Sequence, residues 1–471
     1  MSDKKFGKIV LRKSCRDSYR AAKVLILGAV KPRKAICKSN THLCELRPHP
    51  NNARTHSKKQ IRQIAKSIEK FGFCNPVLVD DTRQIIAGHG RVEAAKLLGI
   101  NAVPTCQLSH LSDADKRAYI LADNKLAEKA GWDRELLAIE LQGLIELDVD
   151  IELTGFEMAE IDLVLEEARE ATGAPSEPED RAPEPSPGPA VSQTGDLWLL
   201  GKHRLLCGDA RDKTAYDRLL EGAKAEFVFT DPPYNVAIDG NVCGLGRVRH
   251  REFAMAAGEM SEAEFTAFLQ AVFALLIENT VDGSIHQICM DWRHLSEMIG
   301  AGRAVYSELK NLCVWNKSNA GMGSFYRSKH ELVFVWKSGT AAHINNFELG
   351  QHGRHRTNVW DYPGISTMRA GRMDELAMHP TVKPTALVAD AIKDCSRRGG
   401  LVLDPFCGSG TILIAAERTG RKARALEIDS HYVDVAVRRW QAYAGKPAIL
   451  AGSGNTFEAT EGQRTANPLA A

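Results

Sequence analysis

Six short apolar runs, EFVFTD, SIHQICM, LCVWNK, ELVFVWK, GLVLDP and ARALEID, lie between residues 226 and 429, interleaved with helical stretches such as TILIAAERTG and HYVDVAVRRWQAYAG. Continuous rather than alternating apolar character marks strands buried on both faces, and such strands need helices above and below a largely parallel sheet. The fold class expected is therefore α/β, with a doubly wound, Rossmann-like sheet. In that class ligands sit at the carboxyl ends of the strands, so the residues directly after each run are the ones to search for chemistry.

A second feature divides the chain. Between Arg169 and Gly195 prolines stand at 175, 178, 183, 185, 187 and 189 among residues with little apolar surface. Proline fixes φ and removes amide donors, so residues 169–195 read as an extended linker. Residues 44–168 then form a smaller α/β domain and residues 196–447 the larger one. The basic, weakly patterned segment 1–43 and the small, polar tail 448–471 are expected to fray. Within the smaller domain, Ser57 and Gln60 make a capping-box pattern ahead of helically spaced Ile61, Ile64, Ile68 and Phe71. PVLVDD and RQIIAG read as short strands, RVEAAKLLG as a helix, AVPTCQL as a strand and SDADKRAYILADNKLAE as a further helix.

Composition limits the partners. Lys and Arg number 61 against 59 Asp and Glu, a net charge of +2, so any nucleic-acid binding must rest on local basic patches. No apolar stretch approaches the roughly 20 residues of a membrane-spanning helix, and no apolar segment with a cleavage site follows the N-terminus. Eleven cysteines occur without a CxxC pair, which argues against a zinc ribbon or a disulfide framework. A reduced, cytoplasmic protein with no metal site is expected.

Two motifs sit where the sheet should bind ligands. Asp231-Pro232-Pro233-Tyr234 directly follows Phe227-Val228-Phe229. The two prolines keep the backbone extended and offer no amide donors, so this strand end presents acceptors: the Asp231 carboxylate and the Pro232 carbonyl. Two acceptors suit the exocyclic amine of a nucleobase, whose lone pair is freed when both hydrogens are bound, and Tyr234 offers a face for the base to stack on. The bland reading is a capped proline turn. The second motif, Leu403 to Thr411, is a strand running into the Gly-rich turn Asp404-Pro405-Phe406-Cys407-Gly408-Ser409-Gly410. Leu at 413 spoils a dinucleotide fingerprint, and no Gly-Lys-Ser/Thr phosphate loop is present. Glu427, ending the next run, is placed for ribose hydroxyls, so a nucleoside without a phosphate fits best.

TDPPYN, LDPFCGSGT, ALEID and HPTVKP (379–384) together resemble the motif set of S-adenosylmethionine-dependent DNA amino-methyltransferases, with the target motif ahead of the cofactor motif as in the beta group. The resemblance covers residues 195–445. It implies that Phe406, Gly408 and Gly410, with Asp404, line the S-adenosylmethionine site, that Glu427 holds its ribose, that Thr381 and Lys383 lie near its methionine end, and that Asp209 lies close to its adenine. Asp at the first motif position favours N6 of adenine, with N4 of cytosine as the alternative. Cys407, inside the cofactor turn, is not read as a nucleophile.

Arg247, Arg249, His250 and Arg251, and Arg354, His355, Arg356, Arg369 and Arg372, fall in polar insertions beside strand ends. Arg247, Arg249, Arg354 and Arg356 are the candidates for gripping double-stranded DNA, and residues 341–375 for much of the sequence recognition. The middle of the same domain, with Arg327, His330 and Glu331, resembles the beta-group domain. Residues 45–99 resemble the N-terminal nuclease-like domain shared by the partition protein ParB and sulfiredoxin. Gly88-His89-Gly90-Arg91 matches its nucleotide- or phosphate-binding turn but carries one arginine where partition proteins have two, which favours docking over hydrolysis. Asn51, Arg54 and Arg91 are candidate backbone contacts. Against a DNA-modifying methyltransferase of the restriction-modification kind stand two rivals: a ParB-like DNA-binding regulator with a non-catalytic methylase half, and an NAD-linked oxidoreductase. A homodimer is one assembly left open.

Overall fold

The computed structural model describes residues 38–171, 180, 188–236, 256, 258–318, 326–350, 353–364 and 382–466. Contacts gather into two units: one of residues up to Trp132 with Leu153–Gly155, the other of Asp133–Glu152 and Phe156 onward.

In the first unit, strands β1 (Lys38–His42), β2 (Val77–Val79), β3 (Ile85–Ala87) and β4 (Ala102–Gln107) form a sheet of order β1-β4-β2-β3. Its helices are α1 (Lys58–Phe71), α2 (His89–Leu97) and α3 (Asp113–Glu128). Of the expected Ser57–Gln60 capping box one half forms, and the Gln60 side chain pairs with His56 Nδ1 at 2.9 Å instead. The Ser57 hydroxyl accepts from the Gln60 amide, Gly72 ends α1 at φ 76°, and Ser112 with Asp115 completes a capping box on α3. Val77, Val79, Ile85, Val92, Ala95 and Val103 make the small core.

The second unit starts with two helices, α4 (Arg134–Glu146) and α5 (Met158–Ala171), which pack on each other through Leu137, Leu141, Ile151, Ile161 and Val164. The chain continues through β5 (Leu197–Leu200), β6 (His203–Cys207), α6 (Lys213–Leu220), β7 (Ala225–Thr230), α7 (Glu262–Glu278), β8 (Thr280–Met290), α8 (Leu295–Val305), β9 (Glu308–Asn316), β10 (His330–Lys337) and β11 (Val359–Asp361). It ends with α9 (Thr385–Cys395), β12 (Leu401–Asp404), α10 (Thr411–Thr419), β13 (Lys422–Glu427), α11 (Ser430–Ala444), β14 (Ile449–Leu450) and α12 (Phe457–Ala466). The ten strands lie in the order β11-β9-β10-β8-β7-β12-β13-β6-β5-β14. The central strands β8, β7, β12, β13 and β6 run parallel, and one core cluster lies on each face of the sheet. The expected doubly wound class is the observed one, with antiparallel strands added at both flanks.

Three boundary expectations are corrected. Helices α4 and α5 belong with the larger unit and not with residues 44–132. The cause is a buried fork: Asp162 on α5 takes Arg421 through both carboxylate oxygens at 2.9 and 2.8 Å and Arg398 at 2.9 Å. Arg421 directly precedes β13, so this anchor sits at the amino end of that strand. The linker ends early, because the amides of Val191 and Ser192 donate to Asp434 at 2.6 and 2.9 Å. The tail after 448 does not fray throughout: β14 pairs with β5, and Phe457 of α12 is buried against Trp198 with ring centroids 5.2 Å apart.

Candidate active site

Strands β7 and β12 are parallel neighbours, with Val402 opposite Phe227 and Leu403 opposite Val228. The segments that follow them, Asp231-Tyr234 and Asp404-Gly410, therefore leave the sheet side by side at its carboxyl edge. The Thr230 hydroxyl donates to Asp404 Oδ1 at 2.7 Å, and the Phe406 amide donates to the same oxygen at 3.0 Å, which ties the two segments together. Burial pushes the Asp404 carboxyl up to about 7 against these hydrogen bonds. Asp404 is thus a pin between the strands.

The Gly-rich turn uses its glycines for two reasons. Gly408, at φ 52°, and Gly410, at φ 85°, lie in the left-handed region. A Cβ on Gly410 would stand 2.8 Å from that of Ala436, so the glycine lets α10 pack on α11, whereas a Cβ on Gly408 would meet nothing within 4 Å. Glu427, at the end of the adjacent parallel strand β13, accepts from the Gly408 amide at 2.7 Å and the Asp429 amide at 2.9 Å. Burial raises its carboxyl to about 7. One strand further, β6 brings Asp209 to the same edge, where Arg211 grips it at 2.7 and 3.1 Å. Phe406 packs near Phe268, with centroids 6.1 Å apart. The Cys407 thiol is buried, and burial pushes its pKa far up, so it carries no thiolate.

On the other side of the crevice Asp231 sits in a charged cluster. Its Oδ1 accepts from the Tyr234 hydroxyl and its Oδ2 from Lys383 Nζ at 2.5 Å. The same ammonium reaches Glu331 Oε2, on β10, at 2.9 Å, and Lys317 pairs with the other Glu331 oxygen. Lys383 also lies 5.6 Å from the centroid of the Tyr234 ring and 5.8 Å from that of Trp315. Pro232 is buried, and Asn235, at φ 52°, receives the amides of Gly258 and Met260 on its side-chain oxygen and donates to the Met260 carbonyl.

The structure brings together Asp231, Tyr234, Asp209, Asp404, Phe406, Gly408, Gly410 and Glu427 on one sheet edge. Lys383 joins them too, but its ammonium is taken by the target motif in place of a free cofactor ligand. Thr381, Arg247, Arg249, Arg369 and Arg372 lie outside the described residues. Arg354 and Arg356 are corrected: both are largely buried and both are paired with Asp394 of α9. Arg354 also meets Asp390 at 3.4 Å, and Arg356 donates to the Tyr362 hydroxyl at 3.1 Å while lying 5.0 Å from the Trp360 ring centroid. Guanidinium groups committed in this way do not reach a DNA backbone. Glu331 and Lys317 were absent from the sequence-derived site. A charged residue opening the apolar run ELVFVWK was the available signal.

In the smaller unit Gly88 takes φ 103° as the cap of α2, and His89 Nε2 accepts from the His49 amide at 3.2 Å. Arg91 is partly buried, and burial lowers its pKa. Arg54 pairs with Glu128 and Asn51 donates its amide to His49 Nδ1, so of the three candidate contacts Arg54 is already engaged.

Comparison with known proteins matches three family models: DNA methylase over residues 225–438, ParB-methyltransferase HTH domain over 135–194 and ParB N-terminal domain over 32–125. The ParB-like nuclease domain-containing protein YnaK of Escherichia coli is 52% identical over 75 residues, which are 16% of this chain and 86% of YnaK. The DNA adenine methyltransferase YhdJ of Escherichia coli is 42% identical over 88 residues, 19% of this chain and 29% of that protein. The type II methyltransferase M.ScaI of Streptomyces caespitosus is 38% identical over 92 residues, 20% and 30% of the respective chains. The chain thus spans under a third of the length of either methyltransferase.

Proposed function

Because the chain belongs to the N6/N4 family of DNA methylases, fused to a ParB-type N-terminal domain, we propose that it transfers a methyl group from S-adenosylmethionine to N6 of adenine in double-stranded DNA. The observation that carries this reading is the adjacency of Asp231, Gly408 and Glu427 at the ends of three consecutive parallel strands. Asp at the first motif position and the similarity to a protein named as an adenine methyltransferase both support adenine over cytosine.

The residues present fit the cofactor. Glu427 offers a buried carboxyl for ribose hydroxyls, Gly408 leaves open space beside it, and Phe406 and Asp209 flank the same edge. S-adenosylmethionine, when bound, supplies an electrophilic methyl on a sulfonium. Asp231 and the Pro232 carbonyl accept the two hydrogens of the target amine and orient its lone pair, and Tyr234 bounds the pocket for the base. Catalysis then rests on positioning and on preorganised acceptors, with no covalent enzyme intermediate. The smaller unit is read as a docking module for DNA.

The test is incubation of the full chain with labelled S-adenosylmethionine and plasmid DNA, followed by nucleoside analysis. N6-methyladenine is expected. N4-methylcytosine would overturn the choice of base, and label on protein alone would overturn the substrate.

A further inference from the structure

Asp231 is the stronger acceptor when it is ionised, and the groups around it bear on that state. A carboxylate accepts through about four lone-pair positions, of which Tyr234 and Lys383 take two, leaving acceptor capacity for the incoming amine. A protonated carboxyl still accepts through its carbonyl oxygen, but more weakly than a carboxylate, and its hydroxyl becomes a donor that opposes an amine hydrogen. The charged and titratable groups facing Asp231 are Lys383 from the segment before α9, Glu331 from β10, Tyr234 from its own loop, Cys289 from β8 and Asp404 from β12, with Lys317 at the end of β9 behind Glu331. In this cluster two carboxylates, Asp231 itself and Glu331, balance two ammonium groups, Lys383 and Lys317.

We propose that Lys383 and Glu331 are positioning residues for Asp231: Lys383 holds it as an ionised acceptor, and Glu331, by sharing that ammonium, keeps Lys383 from closing the acceptor to the substrate amine. This rests on the methyl-transfer reading of the same site. Three observations carry it. The Lys383 ammonium is buried, at 6% side-chain exposure, and bridges the two carboxylates at 2.5 and 2.9 Å. Glu331 has a second cation, Lys317, so its own charge is secured independently. The single Tyr234 hydroxyl hydrogen goes to Asp231, while its oxygen lies 3.4 Å from Glu331 and 3.3 Å from Lys383 Nζ, so the phenol packs into the same cluster. The electrostatics agree. Burial raises the Asp231 carboxyl above its ordinary range, the Lys383 charge limits that rise and the Glu331 charge adds to it. Burial works the same way on Glu331, but Lys383 and Lys317 outweigh it and hold that carboxyl down to about 2.

The two residues push the Asp231 ionisation in opposite directions, which gives a test that a merely structural role does not imitate. The kcat–pH profile for DNA methylation is measured with the full-length wild type and the variants Lys383→Met, Lys383→Arg and Glu331→Gln, with circular dichroism and S-adenosylmethionine binding as controls of folding. Lys383→Met is expected to move the acidic limb up by about 1 pH unit or more, so that kcat falls roughly tenfold at pH values below the limb and is regained above it. Lys383→Arg keeps the charge and the limb. Glu331→Gln is expected to move the limb down while KM for DNA rises, because the whole ammonium now caps Asp231. If Lys383→Met or Glu331→Gln folds and binds cofactor but leaves the limb where the wild type has it, or both move it the same way, the proposal is overturned. Failure of the wild type to methylate DNA would instead refute the reading of the site itself.

Discussion

Asp404 gives the sharpest test of how the strand ends are held. Its carboxyl is buried, and burial raises it from 3.8 to about 7, with both structural hydrogen bonds falling on a single oxygen, Oδ1. The sign follows from linkage. Between about pH 4 and 7 the unfolded chain has lost this proton while the folded chain keeps it, so the native state binds more protons and stability falls as pH rises. Above 7 the full cost persists. A rise of that size corresponds to about 4 kcal/mol, which local relaxation and water entry reduce to about 2 kcal/mol. Asp404→Asn keeps the accepting oxygen for Thr230 and Phe406 and puts an NH₂ where the neutral acid carries its hydroxyl. The variant should therefore exceed the ligand-free wild type in stability at pH 8 by about 2 kcal/mol and by clearly less at pH 5. Urea unfolding followed by the fluorescence of the buried Trp198, Trp315, Trp336 and Trp440 reads the larger unit directly. A gain that is equal at the two pH values, or a variant less stable at pH 8, would refute the assignment of a buried neutral acid.

Gly410→Ala places a methyl 2.8 Å from Ala436 at φ 85°, so it should cost roughly 1–3 kcal/mol and weaken S-adenosylmethionine binding, as read by calorimetric titration alongside thermal unfolding. Arg354→Ala strips one partner from the buried Asp394, which keeps Arg356, and should cost about 1–3 kcal/mol in unfolding assays, while the folded fraction keeps the wild-type DNA site preference in sequencing of methylated positions. Phe457→Ala should release α12, at about 3–5 kcal/mol of lost packing, and expose the C-terminus to limited proteolysis that the wild type resists.

Local signals were legible wherever the physics is local. Ser57, Gln60 and Gly72 mark the ends of α1 because caps act within one turn, and the apolar runs mark the central strands because burial on both faces leaves no alternation to mistake. The pairing of Asp231 with the Gly408 turn was legible because parallel strands deliver their following loops to one edge. Features set by distant partners were not. Arg354 and Arg356 read as a basic insertion, and only the fold reveals that Asp390 and Asp394, one turn apart on α9, face them. Phe457 stands alone among small polar residues, so no periodicity announces a helix held by that ring against Trp198, by Arg464 on Asp196 and by Glu461 on Arg438. Glu331 and Lys383 are 52 positions apart, and their shared role exists only in three dimensions.

Asn235 has a consequence for how such a chain can change. Its one amide group ties Gly258 and Met260 back to the residue that follows Tyr234. An excursion stapled at its base is insulated from its own length, since the entropy of closing a longer loop grows only logarithmically. The number of residues between those points therefore bears little on the position of the Asp231 carboxylate, four residues upstream of the staple.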